Sequence, residues 1–416
     1  MYKFPATQGS LRFDDRAISR SGQFKIFSIA KGQVTNITNA ILCGFVALAA
    51  LCVRVAPVLA QDQASWPRLE GDVSIELQND YVVHSQAPNS TANDLFTDTE
   101  PHLTLGLAPG LSIRTEFTLE PVADPIAGRN RTFGDHGLFV EKLFVSYDGG
   151  GYTVFAGKFA PNFGIAWDRT LGIYGTDTAE DYEMSERIGF GGKIALAGEA
   201  WGRPVASASA FFLDRSPLAG SLITHRRRPR PADGGPSNTG KPNSYAVALD
   251  GGLPGVPDGS YHLAFIDQAR GRGDSADERG IAGGFDLALE PYDGITVTLL
   301  TETVHFWNAD AVSGQNRTYV TGAAAVTWEQ WTGTVTYTGR LTDRPGLGAV
   351  VNDFQVQLSL AYEIIDDLAI EVGWKHARED GLISDTIGVL FSYALISERP
   401  QRTIREDHPP GRRRSG

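Results

Sequence analysis

From Trp331 to Arg340 the chain reads Trp-Thr-Gly-Thr-Val-Thr-Tyr-Thr-Gly-Arg, so odd positions suit hydrocarbon or its boundary while even positions hold threonine and finally arginine. A period of two is that of a β-strand, whose successive side chains point to opposite faces. The alternation recurs almost throughout the chain after residue 70, in segments close to the ~10 residues with which a tilted strand crosses a bilayer. It predicts sixteen strands, at 72–80, 101–107, 111–120, 137–147, 152–159, 187–197, 204–214, 243–250, 260–268, 279–290, 294–306, 317–328, 331–341, 352–363, 367–376 and 383–395.

The connections between these strands alternate in length. Short reversals fall at 108–110, 148–151, 291–293, 329–330 and 364–366, and long polar links at 82–99, 121–135, 160–186, 215–242, 307–316 and 342–350. A soluble sandwich has no reason to alternate so regularly, whereas an even-stranded antiparallel transmembrane β-barrel does, with short periplasmic turns and long external loops. Hydrocarbon offers no partner to backbone N–H and C=O groups, so the sheet must close on itself. At sixteen strands the ring is too wide for side chains to fill and is expected to enclose water. Beyond Ala60 no apolar run approaches the ~18 residues of a membrane helix.

Aromatic residues fall at two levels. Tyr147, Tyr152, Tyr261, Tyr292, Trp328, Trp331, Tyr362 and Tyr393 are expected at the short-turn end, and Phe306, Trp307, Tyr319, Tyr337 and Trp374 at the other, as girdles between lipid and water.

The N-terminal stretch is basic, continues into an apolar run from Ile41 to Leu51, and reaches Val58-Leu59-Ala60, which is the order of a cleavable secretory signal with processing after Ala60. The domain organisation expected is therefore a signal over 1–60, a short periplasmic segment over 61–70, the barrel over 71–395 and a polar tail over 396–416. Cys43 and Cys52, the only cysteines, fall inside the signal, which leaves the processed chain without a disulfide or thiolate metal site. Processing leaves 30 Lys+Arg against 47 Asp+Glu, a formal charge of −17 that disfavours nucleic acid as a partner.

The phase of each strand sorts its side chains. Val73, Ile75, Leu77, Leu111, Ile113, Phe117, Phe354, Val356, Leu358 and Leu360 are assigned to lipid, and their opposite-phase neighbours to the lumen. The expected pore wall includes Arg114, Glu116, Lys142, Lys193, Glu302, Arg340, Glu371 and Lys375, together with Glu76, Glu120, Asp286 and Glu363. The phase of strands 152–159 and 204–214 is ambiguous, which leaves Lys158 and Ser207 unassigned.

The link 160–186 is rich in acid: Asp168, Asp177, Glu180, Asp181, Glu183 and Glu186. Gly157-Lys158-Phe159-Ala160-Pro161-Asn162-Phe163-Gly164, then Asp181-Tyr182-Glu183 and the glycine-rich strand Ile188 to Lys193, resembles Gram-negative outer-membrane porins, those of the phosphate-selective type included. The resemblance implies passive diffusion of small hydrophilic solutes or ions and assembly as a homotrimer. It also implies a third external loop folded into the barrel, whose carboxylates face wall cations such as Arg114, Lys142, Lys193 or Arg340. Phosphate-selective porins as a family line the pore with basic residues, whereas this lumen mixes signs. Porins also commonly finish on an aromatic residue, whereas here Phe391 and Tyr393 are followed by a polar tail.

Arg226, Arg227, Arg228 and Arg230 fall in the next external loop, where they are read as concentrating anions or binding lipopolysaccharide phosphates, or as a solvated tether. The histidines are scattered, with no His-x-His or His-Glu-x-x-His spacing, and neither a Gly-x-Ser-x-Gly elbow nor a Walker loop occurs. No cofactor and no catalytic constellation are expected. A barrel with an occluded interior, structural or adhesive, is the rival reading, and a membrane-surface hydrolase a third.

Overall fold

The structure, a computed structural model, describes residues 66–88, 90–256, 258–344 and 350–396. The signal expected over 1–60 and the polar tail after Ile396 lie outside the described residues.

Sixteen long strands form one antiparallel sheet: β1 (Arg68–Ser85), β2 (Asn93–Ala108), β3 (Leu111–Pro121), β4 (His136–Asp148), β5 (Tyr152–Phe159), β6 (Arg187–Ala195), β7 (Val205–Leu213), β8 (Ser244–Gly252), β9 (Asp258–Gln268), β10 (Glu278–Tyr292), β11 (Ile295–Trp307), β12 (Asn316–Trp328), β13 (Trp331–Asp343), β14 (Val350–Ile365), β15 (Leu368–Glu379) and β16 (Leu382–Ile396). Each pairs with its chain neighbour, and β1 pairs with β16 from Asp72 opposite Ile396 to Ser85 opposite Ser384, which closes the barrel. Every strand expected from the period of two is present.

The ends of the strands differ from the expectation at one place above all. The link expected over 82–99 shrinks to the segment between Ser85 and Asn93, because β1 and β2 keep pairing well past their alternating stretch. Past Asp80, β1 stands at the rim, where water removes the need for an apolar face, while on β2 the polar Thr97 and Thr99, opposite Leu77 and Ile75, leave no alternation to read.

The pleat separates the two faces. On β13, Val335 and Tyr337 point outward, 43% and 46% exposed, while Thr334, Thr336 and Thr338 point inward and are buried. Leu358, Leu360, Val372, Ile387 and Phe391 are likewise outward and exposed. Tyr147, Tyr152, Tyr292, Trp328, Trp331 and Tyr393 are exposed near the short turns, and Trp307, Tyr337 and Trp374 nearer the other end.

Two members of the expected upper girdle belong elsewhere. Phe306 and Tyr319 are buried and point into the barrel, where Phe306 meets Phe163 and Tyr319 meets Tyr182 at ring-centroid distances of 5.5 and 5.0 Å. The inner face is not uniformly polar either. On β8 to β11, Ala246, Ala248, Ala264, Ile266, Ala282, Leu300 and Val304 are buried in one apolar cluster with Phe159, Phe163, Ala166, Ala179, Tyr182 and Met184. These strands are apolar in both phases because a loop covers their inner side.

Two short pairings sit outside the sixteen. Arg131–Thr132 lies parallel to Asp94 and Leu95, and Leu222–Ile223 pairs antiparallel with Gly137 and Leu138 of β4. The second has a clear cause. β5 ends at Phe159, opposite the middle of β4, so the upper edge of β4 would otherwise carry unpaired backbone groups.

Candidate functional site

The link 160–186 leaves the wall after β5 and crosses the interior. Of its apolar residues, Phe163, Ile165, Ala166, Tyr174, Ala179, Tyr182 and Met184 are buried, while Leu171 is exposed. Burial of each large side chain is worth about 1.5–3 kcal/mol, so the loop is held by packing as well as by polar contacts.

The polar contacts run along the wall in order. Asn162 donates to Asp250 Oδ2 at 2.7 Å, and the backbone N–H of Gly164 to His262 Nε2 at 3.0 Å. His262 is in turn oriented by Asp250, 2.7 Å from its Nδ1. A single helical turn, Ala166–Arg169, opens on Glu302: the N–H groups of Ile165 and Ala166 donate to its two oxygens at 2.7 and 2.9 Å, and the Tyr182 hydroxyl adds a third bond at 2.7 Å. A carboxylate accepting free N–H groups at a helix start suits the positive end of the peptide dipoles. Burial and the adjacent Glu302 carboxylate push the Tyr182 phenol well above its ordinary pKa, so it stays a donor.

Further along, Ile173 N–H donates to Glu371 at 3.0 Å and the Tyr174 hydroxyl to Asp80 at 2.8 Å. Lys375 donates to Asp177 at 2.6 Å. Arg340 is shared by Asp181 of the loop, at 2.6 Å, and Asp353 of β14, at 2.8 Å. The wall leaves room for this approach. A Cβ at Gly373 or Gly388 would collide with Ile173 or with the Tyr174 hydroxyl.

The residues singled out in the sequence therefore divide. Glu302, Arg340, Glu371 and Lys375 all bond the loop, and Asp286 takes Arg169 at 3.0 Å. Asp177 and Asp181 are consumed in these pairs, and Asp168 is exposed. Glu180 accepts from Thr176 at 2.7 Å and is raised above the usual carboxylate range by burial, with repulsion from Asp177 adding to it. Glu183 is half-buried and pushed up to about 7, first by burial and then by the charge of Glu141. On the opposite wall Lys142 holds Glu116 through both oxygens at 2.9 Å. Arg114 and Lys193 are exposed on β3 and β6.

Glu186 has a different environment. With Asp214 it flanks Lys158 at 2.8 and 2.9 Å, and it receives Arg226 at 2.6 Å. Lys158 and Asp214 are fully covered, and Arg226 also stacks on Phe139, 3.7 Å from its centroid. Of the four loop arginines, Arg226 is thus locked at the root of the 160–186 loop, and Arg227 pairs with Asp233. Arg228 and Arg230 are exposed.

Three inward carboxylates escaped the strand reading: Asp98, Glu100 and Glu141. Asp98 and Glu100 lie on the part of β2 that carries no alternation, and Asp98 stands directly opposite Glu76. Glu141 sits at a bulge, because the register of β3 and β4 slips between Glu116 opposite Lys142 and Phe117 opposite Val140. The extra residue lets Glu141 and Lys142 both serve the interior, and Thr118 donates to Glu141 at 2.9 Å. Glu100, His102 and Glu116 are near enough for one cation. His102, however, already contacts Asp72 at 2.7 Å and Glu116 at 3.3 Å, which satisfies the ring without one.

No protein-family model and no curated protein matches the chain by sequence. Solved structures match by fold. The chain is similar to OprB of Pseudomonas putida (TM-score 0.55, 9% identity, 79% of this chain and 94% of that one) and to OmpF of Salmonella typhi, solved with daunomycin (0.54, 11%, 79% and 98%). It is also similar to the outer membrane channel DcaP of Acinetobacter baumannii (0.52, 11%, 80% and 99%). At these identities the likeness is one of fold, and the fold is that of sixteen-stranded outer-membrane barrels.

Proposed function

We propose that the chain is an integral outer-membrane porin that lets small hydrophilic solutes or ions diffuse passively through a water-filled barrel narrowed by the 160–186 loop. The observation that carries this reading is the pair of faces on one closed wall. The outer face is apolar and exposed, and the inner face carries paired charges around a loop bonded across the interior. An exposed apolar surface of that extent is stable only in lipid. A charged interior is stable only when wet or paired.

The loop is fixed to β1, β8, β9, β11, β13 and β15 by the bonds from Asn162 to Asp181. The open passage then runs between the loop and the wall of β2 to β4. Selection for phosphate is not favoured, since Arg340, Lys375 and Lys142 each have a carboxylate partner within 2.9 Å. Exposed Arg228 and Arg230 remain free to meet lipopolysaccharide phosphates at the loop end. Assembly as a homotrimer rests on the resemblance of positions 155–193 to porins.

Insertion of the purified protein into a planar bilayer tests the reading. Discrete current steps are expected, and silence at high protein load would instead make the barrel an occluded structural one.

A further inference from the structure

We infer that the passage beside the 160–186 loop selects small cations, inorganic or organic, over anions. This rests on the channel reading above and adds the class of solute to it.

The wall that faces the loop across the passage carries an excess of acid. Glu76 and Asp98 are directly opposed on β1 and β2. The β2 to β3 register, Thr99 opposite Leu119, carries Asp98 on to Glu120. Glu100, two residues along β2, shares their face, and the bulge on β4 adds Glu141. Glu76, Glu100, Glu120 and Glu141 are all close enough to act on Asp98 through their charge. From the loop side, Glu180 and Glu183 are close enough to act on Glu120 and Glu141.

The cations of the interior are already paired. Arg340 lies between Asp181 and Asp353, Lys375 on Asp177, and Arg226 on Glu186, while Lys142 holds Glu116 closely and reaches Glu141 only at 3.9 Å. Arg114 and Lys193 stand toward the short-turn end, beside Ser112 and opposite Thr153.

A second observation concerns how this acid is compensated. Asp98 Oδ1 is shut off from bulk solvent and meets no hydrogen-bond donor among the described residues. A carboxyl group crowded by other carboxyls and lacking a donor is compensated by a proton or a cation drawn from the solution in the passage. Carboxylate-lined walls admit cations and repel anions, and a low-dielectric surround strengthens that field.

The test is the reversal potential of the wild-type channel in a KCl gradient. A potential of the sign set by K⁺, with a permeability ratio over Cl⁻ above about 5, is expected. The combined replacement Asp98→Asn, Glu100→Gln, Glu120→Gln and Glu141→Gln should lower that ratio at least about threefold. Its fold is checked by heat-modifiable gel mobility. A wild-type potential of the Cl⁻ sign, or a ratio unmoved in a folded quadruple variant, overturns the inference and leaves the channel standing. Absence of any current defeats the channel reading, and this one with it. The wild-type measurement decides alone should the variant not fold.

Discussion

The two sides of the 160–186 loop treat charge in opposite ways. Toward β13 and β15, and at its root, each carboxylate has a partner: Asp177 with Lys375, Asp181 with Arg340, Glu186 with Lys158 and Arg226. Toward β2 to β4, Glu180 and Glu183 look at further carboxylates. Paired charge fixes a loop in place. Unpaired charge of one sign stores a field, and a field can act on a solute only where there is space for one. The contrast separates the residues that hold the loop from those that would give the proposed passage its character.

The strongest way to break the holding side is at the root. Lys158→Met leaves the covered Asp214 without its cation and Glu186 with Arg226 alone, and loss of one partner from a buried pair costs about 3–5 kcal/mol. The urea midpoint of the protein refolded into vesicles should fall accordingly, and an unchanged midpoint would mean that water reaches the site. Next comes Glu302→Ala, which removes the acceptor of two backbone N–H groups and the Tyr182 hydroxyl and costs about 1–3 kcal/mol once the loosened loop lets water reach all but one of them. Hydrogen exchange across 163–182 should quicken, and the unit conductance should rise as the loop loosens.

The open side is probed more gently by pH. Glu183 has its pKa raised to about 7, so it is neutral in acid and charged in mild base. The K⁺ to Cl⁻ permeability ratio should therefore climb as pH rises from about 5.5 to about 8.5, and Glu183→Gln should flatten that climb. The smallest effect is expected from Arg340→Gln with Lys375→Gln. These changes release Asp181 and Asp177 on the far side of the loop and should raise the ratio by less than about twofold, whereas a large change would place those pairs in the ion path.

Much of this was legible in the residues. The strand phase puts Glu302, Arg340, Glu371 and Lys375 on the face opposite to Val335, Leu358 and Val372, and in the structure all four bond the loop. The partners themselves were not legible. Ile165 and Glu302 stand 137 positions apart, Lys375 and Asp177 198 apart, and no local pattern ties such residues together. A clue did exist in Ala246, Ala248, Ala264 and Ile266, inward positions too apolar to face water, which betray a covered inner wall. Asp98, Glu100 and Glu141 gave no signal, the first two because Thr97 and Thr99 on the other face of β2 are polar and leave no alternation, and the third because a bulge breaks it.

The sequence by itself determined the barrel: sixteen strands, closed and two-faced, since the period of two is a local property and hydrocarbon enforces it at every residue. Only the tertiary structure decided the path of the loop, the gap in the wall filled by Leu222 and Ile223, and which charges cancel. Those depend on where a segment outside the sheet finds its packing and its counter-charges, and that is settled across the barrel, among residues brought together only once the ring has closed.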